Sequence, residues 1–158
     1  MNRYMFISKR MGALLNMTME KIQEIWFENE RIFMQSVSGK VFSRPLEAYP
    51  ILKDADYVQR QKFYIWGNGE YVRWKDLDED LSVESFFDSS EPNPNNEVAK
   101  IFNHCPWLSA KEVAKFIGMP KAVLDRFIYG IWQPKDEVLI AIKNGIKSMS
   151  HELLQAVS

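Results

Sequence analysis

The sequence has one cysteine, Cys105, among 158 residues, so no disulfide can form within the chain and no cluster of thiolates can hold zinc. That usage fits a reducing, cytoplasmic setting. Histidine is almost as scarce: His104 adjoins Cys105, His151 lies far along the chain, and the spacing matches no common metal site. Nor is there a long apolar run, so a membrane span is not expected. Glycine-rich phosphate loops, dinucleotide fingerprints and a nucleophile elbow are missing, which removes the usual sequence grounds for an enzyme. No catalytic residue, cofactor or metal is therefore expected. Charge of one sign is also lacking. The formal net charge is -1, which predicts no strong attraction of the whole molecule to nucleic acid.

What charge asymmetry exists runs along the chain. Residues 97–158 hold eight basic against six acidic side chains, net +2, while residues 1–96 hold 12 against 15, net -3. Residues 1–18 carry Arg3, Lys9 and Arg10 before a brief apolar patch at 11–15, too short for a secretory signal. They are expected to form a poorly ordered leader, with Met17 or Met19 as the biological start.

From 19 to 88 the pattern predicts a small α+β domain. Lys21 to Phe27 and Arg31 to Val37 are rich in isoleucine and aromatics, and the polar trio Glu28, Asn29 and Glu30 between them reads as a hairpin. Val41 to Ser43 adds a third strand. Pro45 opens a short helical stretch, which Pro50 is expected to limit by removing a backbone donor. Asp54 or Asp56 caps a further turn over Tyr57 to Gln61. A second hairpin is predicted from Phe63 to Trp66 and Tyr71 to Trp74, because Gly67, Asn68 and Gly69 suit the positive backbone angles of a tight turn. A short helix or turn then ends at Phe86 and Phe87.

Asp76, Asp78 and Asp80 have the alternate spacing that opens a calcium loop, but the match stops there. Leu81 stands where that loop needs glycine and Phe87 where it needs a bidentate glutamate. The string reads as a solvated, helix-capping or partner-facing acidic edge.

Serine, proline and asparagine replace large apolar residues over 89–96, which marks a linker. The second domain, 97–158, is predicted to be all helical, with four or five helices. Val98, Ile101, Phe102 and Cys105 share one helical face before Pro106. Val138, Ile142, Ile146, Met149 and Leu153 continue a stripe beyond Pro134, and Gly145 is expected to weaken or bend that helix. Between these lies LSAKEVAKFIGMPKAVLDRFIYGIWQP. Ser109 is a candidate cap, Val113, Phe116 and Ile117 recur at helical spacing, and Gly118 stops the helix. Pro120 suits the start of the next one, whose apolar stripe is Leu124, Phe127 and Ile128. Such a helix-turn-helix serves either as part of an ordinary small bundle or as a DNA-reading unit.

Two resemblances sharpen these expectations. Val113, Ala114, Ile117, Gly118, Met119, Leu124 and Phe127, with Gly130 and Pro134 beyond, resemble the helix-turn-helix of lambda-repressor-like DNA-binding domains. The run WFENERIFMQSVSGKVFSRPLEAYPIL, followed by W-x-x-LDEDLSV and two aromatics, resembles the bacterial domain-of-unknown-function 2442 family. Some members of that family join the small α+β domain to a lambda-repressor-like one. The first resemblance implies a DNA-binding transcription regulator whose second helix enters the major groove. Lys121 and Ala122 would lie nearest the base edges and Arg126 a turn later, with Gln133 and Lys135 reaching phosphate. It also implies a homodimer, with the first domain serving dimerisation or a protein partner.

Three residues depart from the repressor pattern. Ala110 stands where many relatives carry glutamine, Asp125 adds a carboxylate to the presumed reading face, and Pro120 replaces a capping hydroxyl. Ile131 and Trp132 are apolar for a loop beside DNA, so Trp132 either anchors a protein interface or folds into the core. The alternative to DNA binding is an interaction module, antitoxin-like or adaptor, that keeps the repressor-like fold without touching DNA.

Overall fold

A computed structural model describes residues 20–158, and the expected leader lies outside the described residues. The architecture is α+β: small antiparallel sheets come first and helices follow. Two compact units result, one from the described residues up to Leu46 together with Ile51–Ser89, the other from Glu47–Pro50 together with Ser90–Ser158. Among the described residues no helix is long and apolar enough to cross a membrane.

The first unit contains two three-stranded meanders. Strands β1 (Ile22–Glu28), β2 (Arg31–Ser36) and β3 (Val41–Pro45) form one, and β4 (Tyr64–Trp66), β5 (Tyr71–Trp74) and β6 (Glu79–Ser82) the other. In β2 the alternation is complete, with Ile32, Met34 and Ser36 buried and the residues between them half-buried. Each fully buried aliphatic such as Ile32 or Met34 contributes about 1.5–3 kcal/mol of hydrophobic stabilisation. The β1–β2 turn needs positive φ at both central residues, and Asn29 and Glu30 supply it at 50° and 58°. Ile22 N–H donates to the Gly69 carbonyl at 2.7 Å, which joins the start of β1 to the β4–β5 turn.

Trp74 is fully buried between Phe27 and Phe63. Its indole N–H donates to the Arg60 carbonyl at 2.9 Å, so burial leaves no polar atom unsatisfied there. Helices α1 (Pro50–Asp54) and α2 (Tyr57–Gln61) are short, and Asp56 caps α2 in a reciprocal box with Gln59. The Arg60 guanidinium ties them together by donating to the Leu52 and Lys53 carbonyls.

Two expectations are amended in this unit. The short helical stretch after Pro45 is a 3-10 turn at Leu46–Ala48 that stops before Pro50 as expected, but Pro50 also begins a helix, because a proline in the first turn has no intrahelical acceptor to forfeit. The acidic string is also partly a strand, since Glu79–Ser82 pairs with β5 through Val72 opposite Leu81 and Arg73 opposite Asp80.

The second unit has four helices: α3 (Glu97–His104), α4 (Ala110–Ile117), α5 (Lys121–Tyr129) and α6 (Asp136–Ala156). Val98, Phe102, Val113, Ala114, Leu124, Phe127 and Ile142 form its core. Asn96 and Ser109 cap α3 and α4 by accepting from Ala99 N–H and Glu112 N–H. Pro120 occupies the N-cap position of α5 and brings no side-chain cap. Gly145 does not interrupt α6. Its missing Cβ would sit 2.0 Å from Ile117 Cγ2, so this glycine is where α6 and α4 pack closely.

Candidate functional site

The two helices α4 and α5 are joined by Gly118, Met119 and Pro120. Gly118 adopts φ 71°, the left-handed conformation that ends a helix with least cost in glycine, and Met119 N–H donates back to the Ala114 carbonyl at 2.9 Å. Ala114 is buried at this turn, and Leu124 and Phe127 complete the contact from α5. The result is a tight helical hairpin.

The five residues expected to meet DNA are held as follows. Lys121 Nζ lies 2.6 Å from Asp125 Oδ2, and the Asp125 side chain is only 4% exposed. Their spacing of one helical turn lets them meet on the same face. Ala122 is half-buried. Arg126 Nε donates to the Ala48 carbonyl at 3.1 Å, and its guanidinium carbon sits 4.7 Å from the centre of the Trp132 ring. Gln133 Nε2 donates to the Asn93 carbonyl at 3.2 Å, and Lys135 is exposed. Every residue of α5 is buried or half-buried.

The chain after α5 turns back on the helix end. Ile131 N–H and Trp132 N–H both donate to the Arg126 carbonyl. Trp132 is therefore neither core nor free loop: it is 46% exposed, packs edge-on against Phe127 and carries Arg126 on its face. Gly130, at φ 77°, leaves no room for a Cβ, which would fall 2.0 Å from the Asn93 carbonyl oxygen. Asn96 completes the arrangement, with Oδ1 capping α3 while Nδ2 donates to the Phe127 carbonyl at 2.9 Å.

These supports were only partly visible in sequence. The Lys121 and Asp125 spacing was available as a signal, but Asn96 fell in the presumed linker and Ala48 contributes only a backbone carbonyl. No side-chain pattern announces that contact.

Elsewhere, His104 and Cys105 close α3 beside a cavity of about 580 Å³ that Glu97, Lys100, Ile101 and Lys143 also line. Glu97 pairs with Lys143, whose hydrogen bond and charge hold that carboxyl below its ordinary range. Among the described residues no three His, Cys, Asp or Glu side chains are grouped to hold a metal. The acidic string is engaged with Arg73, which pairs with Asp78 at 2.9 Å and with Asp80. Those hydrogen bonds raise the Arg73 pKa above its already high value, Asp78 first and Asp80 next.

Residues 22–92 match the profile of a family described as proteins of unknown function (DUF2442). A protein of unknown function from Rhodospirillum rubrum is 23% identical, with a TM-score of 0.39 over 43% of this chain and 84% of its own. A Nitrosomonas europaea protein conjectured to bind DNA is 14% identical, with a TM-score of 0.33 over 78% of this chain and 84% of its own. No curated protein matches.

Proposed function

We propose that this chain acts in the cytoplasm by binding another protein, as an antitoxin-like or adaptor module without catalysis of its own. Its helical unit keeps a lambda-repressor-like helix-turn-helix that does not read bases through α5. The observation that carries this reading is the engagement of both α5 cations within the chain, Lys121 on Asp125 and Arg126 on the Ala48 carbonyl and Trp132. Withdrawing Arg126 forfeits a hydrogen bond and a cation–π contact, together about 1–2 kcal/mol. A good bidentate base contact returns about 1–3 kcal/mol, so the exchange gains little. Releasing Lys121 to DNA would also take a cation away from the buried Asp125 carboxylate.

The test is fluorescence polarisation of the purified chain with labelled duplexes of about 30 base pairs at about 50 and 200 mM salt. Expected is binding no tighter than the non-specific range of about 10⁻⁴–10⁻⁶ M near physiological salt. Sequence-dependent binding in the nanomolar range would reject the reading.

A DNA-binding transcription regulator is the second reading, favoured by the α4–α5 hairpin itself: a three-residue turn, a left-handed Gly118 and a small buried Ala114. In it the exposed Lys111, Lys115 and Lys135 serve phosphates. Under either reading, exposed Leu153, Leu154 and Val157 at the end of the chain support pairing into a homodimer.

A further inference from the structure

Alternation in the second sheet separates two faces. Val72, Trp74 and Leu81 are buried on the inner one. The outer one carries Tyr64, Trp66, Tyr71, Arg73 and Asp80. Cross-strand pairing sets Tyr64 beside Arg73 and Arg73 beside Asp80, with Trp66 beside Tyr71 in the next row. Trp66 and Tyr71 stack at 4.7 Å between ring centres, and Trp66 Nε1 donates to Asp80 Oδ1 at 3.3 Å. Tyr64 remains 48% exposed and Trp66 44%. Together with Arg73 and Asp80 they line a shallow cavity of about 370 Å³.

Aromatic side chains in this number on a solvent-facing sheet surface are unusual unless something covers them. Their chemistry and the surrounding charge say what. One guanidinium, Arg73, is shared by two carboxylates, and the Asp78 side chain is 91% exposed. Phosphates would meet those carboxylates, which disfavours nucleic acid here. A cation meets two attractions instead: the negative faces of the rings and the unneutralised acid. Arginine fits both, because a planar guanidinium stacks on indole while its donors fork onto a carboxylate.

We infer that the outer face of β4, β5 and β6 is the docking site for an arginine-bearing segment of a partner protein. This rests on the protein-binding reading above and names its surface and the chemistry of its partner.

The probe is a fluorescein-labelled peptide of alternating arginine and serine, titrated against the full chain, with a glutamate–serine peptide and an oligothymidylate as competitors. Saturable binding of the arginine peptide is expected. Trp66→Ala or Tyr64→Ala should weaken it about tenfold, with Asp78→Asn also reducing it, while Trp107→Ala, at an exposed tryptophan between α3 and α4, leaves it unchanged. Folding of each variant is checked by far-ultraviolet circular dichroism. In ¹⁵N-labelled wild-type protein the Trp66 indole resonance should shift on titration, so the site is read without substitution. Absence of binding overturns the proposal, as does affinity that survives both aromatic substitutions with no shift of that resonance. Oligothymidylate bound at Trp66 in preference to the peptide overturns it too. Nanomolar duplex binding with the peptide still held at Trp66 would remove the function proposed above and leave this site standing; loss of the peptide alone would do the reverse.

Discussion

Two serine hydroxyls favour the ionised form of Glu20. The carboxylate is buried, Ser38 Oγ lies 2.8 and 3.0 Å from its two oxygens, and Ser36 Oγ lies 2.7 Å from Ser38 Oγ. Hydrogen bonding by Ser36 and then Ser38 lowers the Glu20 pKa against the opposing effect of burial, and Lys40 at 3.5 Å adds to the lowering. Since the folded value lies below the unfolded one, about 4.3, the contribution to stability is complete above that pH and is lost as pH falls through the folded value. Urea unfolding at stepped pH from about 5 to 3 should therefore show a shallower decline for Glu20→Gln than for the native chain. Parallel declines would contradict this account. Glu97 adds a loss of the same sign through Lys143, from a more exposed position.

At the scale of elements, Gly145 supplies the clearest test of packing. Alanine is a better helix former than glycine by about 1 kcal/mol, and propensity alone predicts that Gly145→Ala stabilises α6. The new methyl would overlap Cγ2 of Ile117, a β-branched side chain that is stiff at its first torsion, and overpacking of this kind costs about 1–3 kcal/mol. The expected outcome is a lower urea midpoint; a higher one would mean that the two helices can move apart freely.

The same glycine shows where sequence reading stops. Elements announced by local chemistry were legible: Ser109 and Gly118 bound α4, Asp56 caps α2, and the glycines around Asn68 turn the second hairpin. What depends on a distant neighbour was not. Gly145 reads as a weakness because Ile117 lies on another helix, and β6 reads only as an acidic edge because its outward carboxylates hide the strand alternation around Leu81. Pro50 limits the 3-10 turn before it, but its second role as the first residue of α1 is not legible, because a proline that ends one helix and a proline that begins another look alike without the backbone. For the candidate site, the residue types and their order along α5 were legible, but the acceptors that hold them were not.

For the whole molecule, the question is whether the α4–α5 pair is a reader or a scaffold. Net charge near zero gives no general pull toward nucleic acid, and the basic excess of the second half is small. The decision then falls on what Arg126 is for. A scaffold arginine, bonded to the Ala48 carbonyl and stacked on Trp132, stabilises the fold and touches no ligand. The most direct measurement pairs urea unfolding with duplex polarisation for Arg126→Ala. The account predicts a loss of about 1–2 kcal/mol of stability with duplex affinity unchanged. Unchanged stability together with loss of a specific duplex signal would contradict it.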